Sequence, residues 1–349
     1  MIYLIEPNKS KDGHFHNWLN TLLKADNTVS LECEYVFKRF KSFSPIRTVF
    51  DFYKAISRLL NAVPKGNIAH ILYADMYYKI PFVNNKLLSR NKLIVTMHSC
   101  PNGYIKHLLL KNFCKRVNVV IVNSDYIRDK YLSLGIKNVV TISHPSFQDY
   151  SDILPKGELK KKYGIPDDKI VLSALGGIRA DKGLDILLES FNYLPKSIKN
   201  KIVLNIAGGV IDSLTEDDIR NLCEIYEINA RLNIRFLTEN EFKENVAVSD
   251  YMVFPYRKHM TANSGPMGEA IVCRVPCIVP YGTNLAAVAD YYGAAFTFEQ
   301  ENPKSLAKVI TDIVISNPVV NFHNIEELNV ETFIEKHSRL YKKVDEGIY

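Results

Sequence analysis

Short apolar runs rich in Val and Ile alternate with amphipathic stretches along most of the chain. The runs IYLIEP, NIAHILYA, KLIVTMHS, VNVVIVNS and VVTISHP are strand-sized. Between them, FHNWLNTLL places Phe15, Trp18, Leu19, Leu22 and Leu23 on one helical stripe. YIKHLLLKNFCKRV and YIRDKYLSLG read as further helices, the second closed by Gly135. Strands that alternate with helices pair in parallel, so this rhythm requires βαβ units.

After Pro145 the rhythm breaks. SFQDYSDILPKGELKKKYGIPDDK is polar, with two prolines and a triple lysine, and reads as a linker with a short helix. A second series follows: KIVLSALGG, a helix from Leu184 to Tyr193, KIVLNIAGG, a helix around Asp217–Tyr226, NIRFLT, DYMVFPY, a helix after TANSGP, CIVPYG and AAFTF. A length of 349 residues suits two domains. The expected fold is α/β, two tandem Rossmann-like domains (1–150 and 151–330) facing a central cleft. A final helix, 331–349, is expected to pack back on the first domain.

The net charge of +6 is unevenly distributed. Residues 1–150 hold 21 Lys and Arg against 10 Asp and Glu, and the remainder 23 against 28. A basic first half suits phosphates, nucleic acid or membrane headgroups, although a plain solvated surface explains charge alone equally well. KRFKSFSPIR, from Lys38 to Arg47, interleaves cations with Phe40 and Phe43, a pattern that suits a headgroup surface. Nothing resembles a recognition helix or an aromatic platform, which disfavours nucleic acid as a partner. No apolar run approaches the roughly 18 residues of a membrane span, and the first residues lack a signal-peptide core. The chain is therefore expected in the cytoplasm, at most peripheral at the inner face of the membrane. Its six cysteines lack metal-type spacing and are expected to be reduced.

Ligands of open parallel sheets bind beyond the carboxyl ends of the strands. Gly13-His14, His98, Gly176-Gly177 and Gly208-Gly209 all fall at such ends. In ALGGIRADKGLD, two glycines permit close approach of a ligand, and Arg179 and Lys182 suit a diphosphate: one a planar fork, the other a point charge. A tight turn with solvated charges is the competing reading. The loop is neither a Walker A sequence nor GxGxxG, which counts against ATPases and dehydrogenases. In TANSGPMGEA, Ser264 is placed to cap a helix that begins Gly265-Pro266. Such a helix start is an anion site, and Glu269, one turn in, can accept hydrogen bonds from hydroxyls attached to that anion. A merely structural cap is again the alternative. TEDD at Thr215–Asp218 reads as a helix start rather than a metal pair, so neither metal nor cofactor is expected.

Together, GGIR–KG, AGG, SDYMVFPY and SGPMGEAIVCRVPCIVP resemble the C-terminal domain of retaining GT-B glycosyltransferases of the family-4 type, the group 1 glycosyl transferases. DGHF, VTMHS and VVIVNSDYIRDKYLSLGIKNVVTISHPSF fit the first domain of that family, and the likeness runs from Ile2 to about Ile310. The resemblance implies a sugar-nucleotide donor held by the second domain and an acceptor held by the first. Arg179 and Lys182 would hold the donor diphosphate, with Gly177, Ser264 and Gly265 near it, and Glu269 would bind the ribose hydroxyls. Gly13 would allow close approach of the first-domain loop, His98 would sit beside the transferred sugar, and Tyr256 would shape the sugar and base pockets. One position departs from the pattern: Thr261 stands where the family has the first of two glutamates, which contacts the donor sugar. The implied reaction is front-face attack by an acceptor hydroxyl, with retention and without a metal. The expected acceptor is a polyprenyl-linked glycan of surface-polysaccharide assembly. An epimerase or hydrolase of the same fold, or a non-catalytic nucleotide-binding relative, are the alternatives.

Overall fold

The computed structural model describes residues 1–6, 14–32, 45–79, 85–212 and 214–349. Gly13 and most of the basic stretch, Lys38 to Ser44, lie outside them. The described chain divides into two units: Met1–Phe147 with Glu326–Tyr349, and Gln148–Ile325.

The first unit is built on β1 (Ile2–Glu6), β2 (Thr28–Glu32), β3 (Ile68–Ile71), β4 (Lys92–Met97), β5 (Val119–Val122) and β6 (Val139–Thr141). They form one parallel sheet in the order β2-β1-β3-β4-β5-β6. Successive side chains of a strand point to opposite faces, so each run supplies two cores. Ile5, Val95, Val120 and Val122 face one side, against Phe52 and Ile56 of helix Pro45–Ala62 and Leu110 and Phe113 of helix Tyr104–Cys114. Leu4, Ile94, Val119 and Ile121 face the other, against Trp18 and Leu22 of helix His14–Leu22. That second face is completed by Phe333, Leu340, Tyr341 and Val344 of helix Val330–Asp345. Here Tyr341 Oη lies 2.7 Å from His70 Nδ1, and His70 Nε2 lies 2.8 Å from Thr96 Oγ1. His337 stacks on His70 with ring centroids 5.8 Å apart, both rings buried.

The second unit carries β7 (Ile170–Leu175), β8 (Ile202–Ala207), β9 (Ala230–Asn233), β10 (Tyr251–Val253), β11 (Cys277–Pro280) and β12 (Ala295–Phe298). Their parallel order is β12-β11-β10-β7-β8-β9. The order reverses between β7 and β10, and such a switch point opens a crevice beyond the strand ends. Two strands differ from the sequence reading. NIRFLT is not a strand: β9 ends at Asn233, after which Arg235 pairs with Glu241 and Thr238 caps the next helix. TVSLE, not read as a strand, forms β2 at the sheet edge. Five cysteines are unpaired, and Cys33 lies outside the described residues.

Candidate active site

The carboxyl end of β7 is where the second unit gathers its polar groups. The chain leaves β7 through Gly176 and Gly177, and Ile178 extends the sheet by a single bridge to Val210. A Cβ on Gly176 would meet Lys182 Nζ at 3.2 Å and Pro266 Cγ at 3.3 Å. The Lys182 ammonium and the first turn of helix Gly265–Val272 therefore lie on either side of one bare glycine. At Gly177 a Cβ would fall 2.5 Å from Ile211 Cδ1, so the room of a side chain there is filled by protein. Gly208, with φ 151°, passes so close that a Cβ would lie 2.0 Å from Gly176 O.

Arg179 and Lys182 differ in commitment. Asp181 accepts from Arg179 Nε at 2.9 Å and from Nη2 at 2.5 Å, and these hydrogen bonds raise the guanidinium pKa above its usual range. The guanidinium has five N–H groups, so Nη1 is left to point elsewhere. Lys182 Nζ makes no ion pair among the described residues and stands 5.7 Å from the centroid of the Tyr256 ring. Arg257 fixes the loop from behind: its Nε donates to Ala180 O at 3.0 Å and its Nη2 to Asp185 at 2.5 Å. Gly176, Gly177, Arg179, Lys182 and Tyr256 share a cavity of about 30 Å³, the room of one water.

Ser264 holds the N-cap position of helix Gly265–Val272, as expected, but its side chain makes no cap hydrogen bond. Its Oγ is 2.9 Å from the hydroxyl of buried Tyr256 instead. The helix start is thus left without a side-chain cap. Proline at the first turn removes one donor there, and a Cβ on Gly265 or Gly268 would meet nothing within 4 Å. An uncapped N-terminus in open space is a place where an anion can settle. Glu269 is buried one turn in and accepts from Tyr150 Oη at 3.2 Å. Burial, then the Glu269 carboxylate, pushes the Tyr150 phenol far up, so it remains a donor.

His98 belongs to the first unit, at the end of β4. Its backbone N–H donates to Asp75 at 3.0 Å, its Nδ1 lies 3.1 Å from Asp75 Oδ2, and Ser99 Oγ donates to Asp75 Oδ1 at 2.8 Å. Burial alone would raise the Asp75 carboxyl, but the hydrogen bonds from His98 and Ser99 prevail and hold it below its usual range. An ionised carboxylate only accepts, so Nδ1 of His98 carries a hydrogen. The ring is flanked by Trp18 at 5.4 Å and Tyr73 at 5.2 Å between centroids.

Asp75, Asp181, Arg257 and Tyr150 were not singled out from the sequence. Asp75 alone left a trace there, as a lone acid directly after the run NIAHILYA.

A two-unit fold of parallel sheets, with cations and a helix N-terminus at a switch point, is that of the GT-B glycosyltransferases. Residues 155–324 match the family "Glycosyl transferases group 1", and the match falls within the unit just described. The second unit is thus similar to the group 1 glycosyl transferases. An uncharacterized glycosyltransferase of Methanocaldococcus jannaschii is 21% identical over 297 residues, 80% of this chain and 71% of its own. The sucrose-phosphate synthase of Thermosynechococcus elongatus shares the fold with a TM-score of 0.71 at 15% identity, covering 98% of both chains. Anabaena HepE, solved in complex with UDP, gives a TM-score of 0.68 at 12% identity over 98% of this chain and 99% of its own.

Proposed function

We propose that the chain is a retaining hexosyltransferase that draws on a nucleotide-diphosphate sugar and delivers to a lipid-linked glycan. The reading rests chiefly on the convergence at Gly176 of a lysine ammonium without an ion-pair partner among the described residues and an uncapped helix start. Breaking an anomeric bond leaves charge on the departing diphosphate, and groups already aimed at that charge stabilise it most efficiently. Lys182, Arg179 through its Nη1, and the start of helix Gly265–Val272 supply positive charge from the protein itself. Glu269, held by Tyr150, suits the ribose hydroxyls. The HepE complex with UDP, and another with UDP-glucose, favour a uridine donor. His98, oriented by Asp75, suits the transferred sugar. The acceptor assignment rests on the basic charge of residues 1–150.

The test is product release from UDP-, GDP- and ADP-sugars by the wild type, Lys182→Ala and Glu269→Ala. Hydrolysis of one donor is expected. Lys182→Ala should reduce kcat about 10²–10³-fold, the scale of losing one oxyanion donor, while Glu269→Ala should mainly raise KM. Isomerised donor as the product would favour an epimerase. No turnover and no calorimetric binding of any donor would refute the assignment.

A further inference from the structure

β10 ends at Val253, and the chain then turns at Pro255, across which the Tyr256 N–H donates to Phe254 O at 2.8 Å. A hydrogen bond across one residue closes a γ-turn, and the locked φ of proline suits its centre. Gln300 Nε2 donates to the Tyr256 carbonyl at 3.1 Å, and the ring stands edge-on to Phe254 with centroids 5.9 Å apart. Backbone and ring are both held, and they bring the buried hydroxyl to 2.9 Å from Ser264 Oγ. Ser264 has the extended backbone of a helix N-cap, φ −114° and ψ 118°. A serine so placed ordinarily accepts from the N–H of the second or third helical residue. The second is Pro266, which has no N–H, and the third, Met267, donates to Ser264 O at 3.1 Å. A helix-end N–H can be shared by two acceptors, yet Ser264 Oγ makes no cap bond and stays with Tyr256. The Gly265 N–H, on the open side, donates to no group among the described residues.

The two hydroxyls own two hydrogens, and the bond between them uses one. If Ser264 donates, the spare hydrogen sits on Tyr256 inside the protein. If Tyr256 donates, it sits on Ser264 beside the open helix start. An anion at that start favours the second arrangement, which alone adds a charge-assisted hydrogen bond. We propose that Tyr256 is a positioning residue of the donor site: its hydroxyl draws Ser264 out of the capping position and turns the serine hydrogen toward the donor diphosphate, next to the Gly265 N–H. The helix thereby gives up its own cap and keeps its N-terminus open for the ligand. The role rests on the reading of this helix start as the diphosphate site and adds to it a residue that acts through another.

The test is calorimetric binding of UDP, with GDP and ADP beside it, to the wild type, Tyr256→Phe, Ser264→Ala and the double variant. Tyr256→Phe keeps the ring 5.7 Å from Lys182 Nζ and removes only the hydroxyl. It should weaken binding about tenfold and Ser264→Ala about ten- to a hundredfold, the scale of a hydrogen bond to a charged group. In the Ser264→Ala background, Tyr256→Phe should change binding by less than about twofold, because a residue that acts only through Ser264 then has nothing to position. The urea midpoint of Tyr256→Phe should hold or rise, as Ser264 turns to the Met267 N–H. A lowered midpoint with the same loss of binding in both backgrounds would make Tyr256 a packing residue and overturn the proposal. So would Tyr256→Phe that binds like the wild type. A wild type that binds none of the three diphosphates would remove the donor reading as well, whereas a wild type that binds, without coupling between the two residues, removes this role alone.

Discussion

Asp75 accepts from both the backbone N–H and the ring of His98 and so places a hydrogen on Nδ1. Replacing it with Asn keeps the shape but removes the charge that favours the Nδ1–H tautomer. Asp75→Asn should lower kcat about ten- to a hundredfold, the usual cost of losing an orienting partner. Nitrogen NMR of His98 should show a mixed tautomer population. A His98 signal identical to the wild type would mean that Asp75 serves only the loop. This pair shows where a sequence stops being informative. His98 ends a strand of six residues and is easy to single out, whereas Asp75 acquires its role from the pairing of β3 with β4.

At the scale of elements, glycines that look alike in sequence separate by what surrounds them. Gly208 is pinned: an added methyl would collide with the backbone of Gly176. Gly208→Ala should therefore destabilise the second unit by more than about 1 kcal/mol, read as a lower urea midpoint. Gly265 has open space and an ordinary φ, at the first position of a helix. Gly265→Ala should leave stability unchanged or raised by up to about 1 kcal/mol, yet weaken donor binding by calorimetry, because the methyl would occupy the anion's place. Loss of both would show that Gly265 is structural. Most strands were legible as apolar runs because a strand buried on both faces needs no alternation. β2 was not, since an edge strand covered on one side leaves residues such as Val29 exposed. The Ser264 cap was half legible: sequence marks the position, but the competing hydroxyl of Tyr256 is brought to it only by the fold of the loop that both residues share.

For the whole molecule, the buried histidines of the first unit set its response to acid. Burial lowers His70 well below the ordinary value, His337 to about 4 and His144 to about 3. In the unfolded chain each takes its proton near pH 6.5, while the folded chain refuses it. Stability is thus fully present above about pH 6.5 and falls as pH drops toward 4, by about 1.4 kcal/mol per pH unit for each histidine. Urea midpoints from pH 7 to 4.5 should follow this slope, and His337→Leu should flatten it. An unaltered slope in that variant would remove His337 from the account. The helix carrying His337 also has a consequence for synthesis. Gln148–Ile325 is one unbroken stretch, whereas the sheet of Met1–Phe147 lacks its cover over Leu4, Ile94 and Ile121 until Val330–Asp345 has been made. On the ribosome the unit translated first is therefore the last to close, and its open face needs shielding while the rest of the chain emerges.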